Sequence, residues 1–276
     1  MVIEYFQGKG DVISQVAGGW EHTLASTRDG RIFSFGSGYK DSRRAGLPPV
    51  LGHGGNEHQL LPCQIVSLSE ENIVHIACGW DHSLAVSTEG LLYTWGAGTN
   101  GKLGHGDESD RAIPTCVEAV RGKMIVQAEA GCEHSAAVTS DGELLTWGHG
   151  DSGRLGHGEN KSENKPRRVV FEKNESLRVV SIAVGDKYNM ILVKDVDEKN
   201  VQDGHVNKGE VEGDTNMAKS SLAWEAGAHS PPASKFTKNP GGVTKAGADM
   251  TSAWILNRNL FSVELEDVRI VSDRKV

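Results

Sequence analysis

The sequence predicts an all-β chain built as a β-propeller, on three observations. The motif Gly79-Trp80-Asp81-His82-Ser83 returns 52 residues later as Gly131-Cys132-Glu133-His134-Ser135. Trp95-Gly96 returns as Trp147-Gly148 at the same interval. Leu-Gly-His-Gly blocks begin at Leu51, Leu103 and Leu155, and Pro62, Pro114 and Pro166 follow them with the same 52-residue spacing. A constant period of this size marks an array of supersecondary units. Each unit holds three or four short β-forming runs between glycine turns. So small a twisted sheet cannot bury both faces alone, so the units must stack sheet on sheet.

The first copy comprises Val12–Gly18, then Gly19-Trp20-Glu21-His22-Thr23, an Asp29-Gly30 turn and Arg31–Phe35. Phe35 takes the place that Trp95 and Trp147 hold later. Between Gly36 and Leu51 this copy is eight residues longer than its successors, the excess lying in Tyr39–Pro49. The second copy is the cleanest, with runs at Ile73–Cys78, His82–Ser87 and Leu91–Trp95, and the third extends from Ile125 to Phe171. A fourth opens with Val179–Val184, Gly185-Asp186-Lys187-Tyr188 and Met190–Val193, where the pattern breaks. The aromatics Phe35, Trp95 and Trp147 and the leucines Leu51, Leu103 and Leu155 are expected to fill the layers between sheets.

Beyond the fourth copy the reading changes. Residues 195–240 are polar and rich in acids, with few groups able to offset their ordering entropy, and are expected to be a flexible insert, with Leu222-Ala223-Trp224 as a faint echo of a repeat strand. Residues 241–276 hold a degenerate fifth copy, in which Gly247–Ile255 aligns with Gly79–Ser87 and Leu260–Val263 with Leu92–Trp95, followed by a charged tail. The expected organisation is therefore repeats over 1–194, an insert over 195–240 and a decayed repeat over 241–276, giving three full copies, one half copy and one decayed copy.

A net charge of −8 excludes a surface that is wholly a nucleic-acid footprint, and no sequence-specific nucleic-acid binding is expected. The four cysteines show no C-x-x-C spacing, Cys78 and Cys132 sit where a small apolar strand residue fits, and all four are expected to be reduced core thiols. The N-terminus lacks the layout of a signal peptide and no run approaches the ~20 apolar residues of a membrane span, so a soluble cytoplasmic or nuclear protein with no membrane partner is expected.

The signature G-[WC]-[DE]-H-[ST]-x-A, then D/E-G-x-[IL]-x-[ST]-[FW]-G, then L-G-H-G, resembles the repeat of the regulator of chromosome condensation family. The resemblance covers residues 12–193 and, more weakly, 241–263. It implies a propeller that is usually seven-bladed. It also implies three kinds of activity: recruitment of protein partners, as in repeats carried by large ubiquitin ligases; guanine-nucleotide exchange on a small GTPase, with chromatin or histones as a second partner; and ultraviolet-B sensing, as in plant photoreceptors that use a Gly-Trp-Arg-His-Thr version of the motif. Here Glu21 and Asp81 stand where that version has arginine.

Several residue patterns suggest chemistry and are better read as structure. Gly96–Lys102 matches a phosphate-cradling glycine loop, but Leu103 stands where Ser or Thr is needed and Gly148–Arg154 repeats the shape one period on, which makes it a blade turn. His22/His82/His134 and His53/His105/His157 could supply zinc ligands, but equivalent positions lie on different blades, and hydrogen bonds to turn backbone are the expected role. Glu21, Asp81, Glu133 and Asp186 read as one periodic acidic position rather than a catalytic pair. No catalytic, cofactor-binding or metal-ligating residue is expected, and no cofactor. The expected function is a non-catalytic interaction module, with exchange activity and then light sensing as alternatives. Tyr39, Lys40, Arg43 and Arg44 in the insert of the first copy are the partner-binding candidates, because cationic and aromatic side chains on an added loop have the composition of interface anchors.

Overall fold

The computed structural model describes residues 5–6, 10–38, 49–171, 177–195, 243–244 and 268–272. The chain divides into two units, Met1–Val196 with Gly242–Val276, and Asp197–Gly241, and all the described residues belong to the first. Its described residues are all-β, in four antiparallel sheets of four strands. The first sheet holds β1 (Ile13–Gly18), β2 (His22–Thr27), β3 (Ile32–Gly36) and β4 (Gln59–Gln64). The second holds β5 (Ile73–Cys78), β6 (His82–Ser87), β7 (Leu92–Gly96) and β8 (Arg111–Cys116), and the third β9 (Ile125–Ala130), β10 (His134–Thr139), β11 (Leu144–Gly148) and β12 (Glu163–Arg168). In the fourth, β13 (Leu177–Val184) and β14 (Asn189–Asp195) are joined by β16 (Val268–Ser272) and β15 (Val243–Thr244), in the order β13-β14-β16-β15.

Register repeats with the sequence: His22 pairs with Gly36, His82 with Gly96 and His134 with Gly148. The second strands β6 and β10 are buried along their whole length because both faces meet another sheet, which explains their near-continuous apolar runs. Leu24, Ile32 and Ile65 of the first sheet pack on Ile76, Ala85 and Trp95 of the second. Leu84, Val86 and Leu92 of the second pack on Ala128, Leu145 and Trp147 of the third, and Ala136, Val138 and Leu144 of the third pack on Ile182, Ile191 and Val193 of the fourth. Pro62, Pro114 and Pro166 fall inside β4, β8 and β12, the edge strands, where a missing N–H breaks no central ladder and discourages pairing with another chain.

Polar contacts set the order of the stack. On the first strands, the Gln15 amide donates to Val74 O at 2.8 Å and accepts from Ile76 N at 3.1 Å, as Gln127 does with Ile182 O and Ile182 N at 2.7 and 3.1 Å. His75, at the matching position, donates to Ala128 O at 2.8 Å. The first strands of neighbouring sheets therefore converge. Further out, each Leu-Gly-His-Gly loop lies over the next sheet: Trp95 Nε1 donates to Val50 O at 3.0 Å and Trp147 Nε1 to Lys102 O at 2.8 Å. Gly54 N then donates to Ala112 O at 3.0 Å and Gly106 N to Asn164 O at 2.8 Å.

Trp95, Trp147, Leu51, Leu103 and Leu155 are fully buried. Phe35 is only half-buried, unlike its counterparts, because among the described residues no loop lies over the outer face of the first sheet. Tyr5 and Phe6 cover part of that face, Phe6 meeting Phe33 edge-on at 5.2 Å. Segment 268–272 pairs with β14 from Lys194↔Val268 to Met190↔Ser272, and so lies in the fourth sheet. Leu222–Trp224, Gly247–Ile255 and Leu260–Val263, on which the readings of a repeat echo and a fifth copy rest, lie outside the described residues.

Trp95→Ala is expected to cost roughly 3–5 kcal/mol in urea unfolding, the range for a large aromatic deleted from a core. Trp95→Phe should cost about 1–3 kcal/mol, since it keeps the ring but leaves Val50 O without its donor. A loss below about 1 kcal/mol for the alanine variant would place this ring outside the core.

Candidate protein-interaction face

The connections between first and second strands and those between third and fourth strands meet at one end of the stack. Ser37 N, Ala97 N and His149 N donate to Glu21 O, Asp81 O and Glu133 O at 2.8, 2.8 and 2.9 Å, tying the two sets of loops together. This end carries the Gly-Trp/Cys-Asp/Glu-His motif, and its residues divide by depth.

The histidines are the deepest. His22 Nε2 lies 2.9 Å from Ser83 Oγ, His82 Nε2 2.9 Å from Ser135 Oγ, and His134 Nε2 2.9 Å from Asn189 Oδ1, each partner belonging to the next sheet. Ser135 donates to Lys102 O at 2.8 Å and Asn189 Nδ2 to Arg154 O at 2.7 Å. Their remaining acceptor positions face the imidazoles, so Nε2 of His82 and His134 carries the proton. Burial pulls the His22 and His134 pKa down to about 4 and that of His82 well below its ordinary value, so the rings are neutral at physiological pH. Two expectations are thereby corrected. The partners are side chains of the next blade rather than turn backbone, and the second series bonds to hydroxyls of its own sheet: His53 to Ser34, His105 to Thr94 and His157 to Thr146, at 2.8, 3.0 and 3.1 Å. Ser34, Thr94 and Thr146 in turn donate to Leu51 O, Leu103 O and Leu155 O. Among the described residues no group of three His, Cys, Asp or Glu side chains is placed to hold a metal ion.

A layer of charge lies above the histidines. The Lys102 side chain is 0% exposed, with its ammonium 2.7 Å from Asp81 Oδ1 and 2.9 Å from Glu133 Oε2. Lys102 belongs to the second blade's glycine turn, and Glu133 to the third blade, so the pair clamps two sheets. Burial pushes the Asp81 carboxyl above its ordinary range against the pull of Lys102. The turn is a 3₁₀ segment, Thr99–Gly101, with Asn100 at φ 59°, and its lysine is spent in this clamp rather than open to a phosphate. By strand register Asp186 takes the position of Cys132, one residue before the acidic one, and Lys187 stands at the acidic position of the fourth sheet. Asp186 is therefore not a fourth member of the acidic set.

At the surface, Trp20 and Trp80 stack face to face, with ring centroids 4.8 Å apart at an interplanar angle of 21°, and are 54% and 48% exposed. Trp20 N donates to Trp80 O at 3.3 Å, holding the two turns together beneath the rings. Cys132 occupies the equivalent site on the third sheet, in the turn between β9 and β10 rather than in a strand. Burial, with help from Asp186 and Glu133, pushes its thiol up to about 12, and burial does the same to Cys78, so neither is a thiolate nucleophile. All four cysteines are free thiols. Tyr39, Lys40, Arg43 and Arg44 lie outside the described residues, but the flanks of their loop, Gly36–Gly38 and Pro49–Leu51, are described, with Gly38 N donating to His58 Nδ1 at 3.1 Å. The loop therefore leaves the first sheet at the same end as the tryptophans.

Sequence reading missed the tryptophan pair and the lysine clamp. Trp20 and Trp80 share a repeat position, which signals proximity once sheets are known to stack. Lys102 gave no such signal, because its counterparts are Val50 and Arg154.

Comparison with known proteins places the chain in a family. The repeat model described as "Regulator of chromosome condensation (RCC1) repeat" matches residues 49–86, 89–138 and 141–192, and a second model of the same description matches 13–40, 73–102 and 125–154. The chain belongs to the RCC1 repeat family. It is similar to the ultraviolet-B receptor UVR8 of Arabidopsis thaliana, with 36% identity over 182 residues covering 66% of this chain and 39% of the receptor. It is similar also to the human E3 ubiquitin-protein ligase HERC2, with 38% identity over 185 residues covering 66% of this chain and 4% of the ligase. It thus spans well under half the length of these relatives. Among solved structures, Prp20p of Saccharomyces cerevisiae superposes with a TM-score of 0.57 at 22% identity, over 72% of this chain and 49% of that one, a likeness of fold. Among the described residues no helix is long and apolar enough to cross a membrane.

Removing the acids of the clamp should cost more than removing its lysine. Asp81→Asn with Glu133→Gln strands a buried ammonium and is expected to lose roughly 3–5 kcal/mol in urea unfolding. Lys102→Met leaves carboxylates that reach solvent and should lose less. The reverse order would mean that the lysine is not held by these two acids.

Proposed function

We propose that this chain is a non-catalytic protein-interaction module and that the end bearing Trp20 and Trp80 is its binding face. The exposed tryptophan stack carries this reading. Two half-exposed indoles fixed by backbone hydrogen bonds lose little entropy on binding, and Trp is the residue type most enriched among binding hot spots. The insert holding Tyr39, Lys40, Arg43 and Arg44 follows Gly36–Gly38, which reach this end of the first sheet, and Arg adds forked recognition of carboxylate or phosphate. The partner is a protein, with a small GTPase or histones as candidate classes, in the cytoplasm or nucleus, and the module acts by recruitment without making or breaking bonds.

Guanine-nucleotide exchange is the second reading. It rests on the likeness of fold to Prp20p, whose structure is described together with its binding to Gsp1p and histones. Ultraviolet-B sensing is favoured by the tryptophan stack and the similarity to UVR8, and disfavoured by Glu21 and Asp81 in place of the arginine that the resemblance would need.

Pull-down from lysate followed by titration of each recovered partner tests the proposal. Trp20→Ala with Trp80→Ala, and separately Arg43→Glu with Arg44→Glu, are each expected to weaken binding by at least about tenfold, the effect of losing interface anchors. The melting temperature of the arginine variant should stay within about two degrees, as for surface changes. Unchanged affinity in both variants would remove this face from the binding site. Stimulated release of labelled nucleotide from a small GTPase would promote exchange instead.

A further inference from the structure

At the end of the stack opposite the tryptophans, the first three blades each have a corner built from the same four elements. The turn between second and third strands is bonded to the residue that precedes the first strand: Arg28 N, Thr88 N and Ser140 N donate to Val12 O, Asn72 O and Met124 O, each at 2.8 Å. The glycine of that turn then receives the next sheet, with Ile73 N, Ile125 N and Val179 N donating to Gly30 O, Gly90 O and Gly142 O at 3.1, 3.2 and 3.0 Å. The fourth strand closes the corner, with Gln64, Cys116 and Arg168 at matching register.

Three side-chain positions therefore surround each turn. At the first corner they hold Asp11, Gln64 and Asn72, at the second Glu71, Cys116 and Met124, and at the third Lys123, Arg168 and Arg178. The backbone bonds are the same at all three, so packing does not call for cations at the third. Lys123 and Arg168 both reach Glu143, Arg168 at 3.3 Å, yet their side chains are 43% and 63% exposed against 16% for the acid. Arg178 is exposed and donates from Nη1 to Asp141 O at 3.0 Å, while the Asp141 carboxylate takes the Thr139 hydroxyl. The cations outnumber these acids and stand further out. Met124 and Val170, close in sequence to Lys123 and Arg168, add half-exposed and exposed apolar surface.

We infer that this third corner docks a short acidic segment of a protein partner, one that carries several aspartates or glutamates around an apolar residue. Charge complementarity carries the assignment. Lys123 and Arg168 gather at Glu143 and Arg178 beside Asp141, two centres rather than one, which suits a run of carboxylates better than a single phosphate. A long nucleic-acid backbone would leave the corner and meet the field of a chain whose net charge is −8, whereas a short segment meets the corner alone. The turns of the tryptophan face lie at the other end of the strands, so the two binding sites are tested apart.

Fluorescence anisotropy of a labelled Glu-Glu-Leu-Glu-Glu peptide, titrated with the whole chain in about 50 mM salt, reads this binding. Saturation below about 1 mM is expected, weakening at least about fivefold in about 300 mM salt because exposed charges are screened. Lys123→Gln with Arg168→Gln should weaken binding by at least about tenfold, the effect of two lost ion pairs. Lys161→Gln, in a loop at the tryptophan end, should leave it unchanged. Arg178→Gln, which leaves Glu143 its partners, should weaken it about threefold and keeps the test open if urea unfolding shows that the double variant does not fold. Failure of the native chain to bind the peptide would overturn the assignment, as would undiminished binding by the corner variants or equal binding of Gln-Gln-Leu-Gln-Gln. Tighter binding of an oligothymidylate that displaces the peptide would give the corner to a nucleic-acid backbone and overturn it as well.

Discussion

The stack depends on burying a polar ring between sheets without charging it. An imidazole removed from water costs several kcal/mol unless its N–H is matched, and His22, His82 and His134 each find a match only on the following sheet. Apolar layers tolerate sliding, since Leu, Val and Ala surfaces have little directional preference. A histidine that must reach one hydroxyl or amide does not, so these bonds fix the angle and height at which one sheet sits on the next. Their Nδ1 atoms are buried without a hydrogen-bond partner, so a second proton there would find no acceptor.

The glycine before each acidic turn follows from the same constraint. A Cβ built on Gly19, Gly79 or Gly131 would come within 2.5 Å of the ring of His22, His82 or His134 and within 2.7 Å of a carbonyl of the next sheet. Only glycine lets the turn close over the imidazole, so the Gly-x-x-His spacing is a packing requirement rather than a ligand motif. Above this layer the chain is free to vary, and there lie tryptophan at two sheets, cysteine at a third and aspartate at a fourth. The geometry beneath repeats from sheet to sheet while the side chains on top change.

Much of this was legible in the sequence because period and register are the same information in a stacked array. The 52-residue spacing located the strands, the turns and the buried Trp95, Trp147 and three leucines. What failed did so where a residue's surroundings belong to another copy. Phe35 reads as the equal of Trp95, yet its burial depends on a loop that no preceding copy among the described residues supplies. Asp186 reads as the fourth acid, but strand pairing places Lys187 there. The histidine partners could not be read at all, since Ser83, Ser135 and Asn189 lie 53 to 61 residues away across a junction.

Stability as a function of pH tests the central claim most directly. The unfolded chain protonates its histidines near 6.5, whereas His22 and His134 hold neutral rings down to about 4 in the folded state and burial likewise holds His82 well below its ordinary value. Between those limits the unfolded state binds more protons, so stability must fall as the pH falls, by about 1.4 kcal/mol per pH unit for each ring. The unfolding free energy from urea titrations should be level between about pH 7 and 8 and drop by at least about 3 kcal/mol between pH 6.5 and 5, before the carboxylates of lowered pKa begin to titrate in the unfolded chain. A change of less than about 1 kcal/mol across that window would mean that the rings are accessible to protons, and that the sheets are held in place by something else.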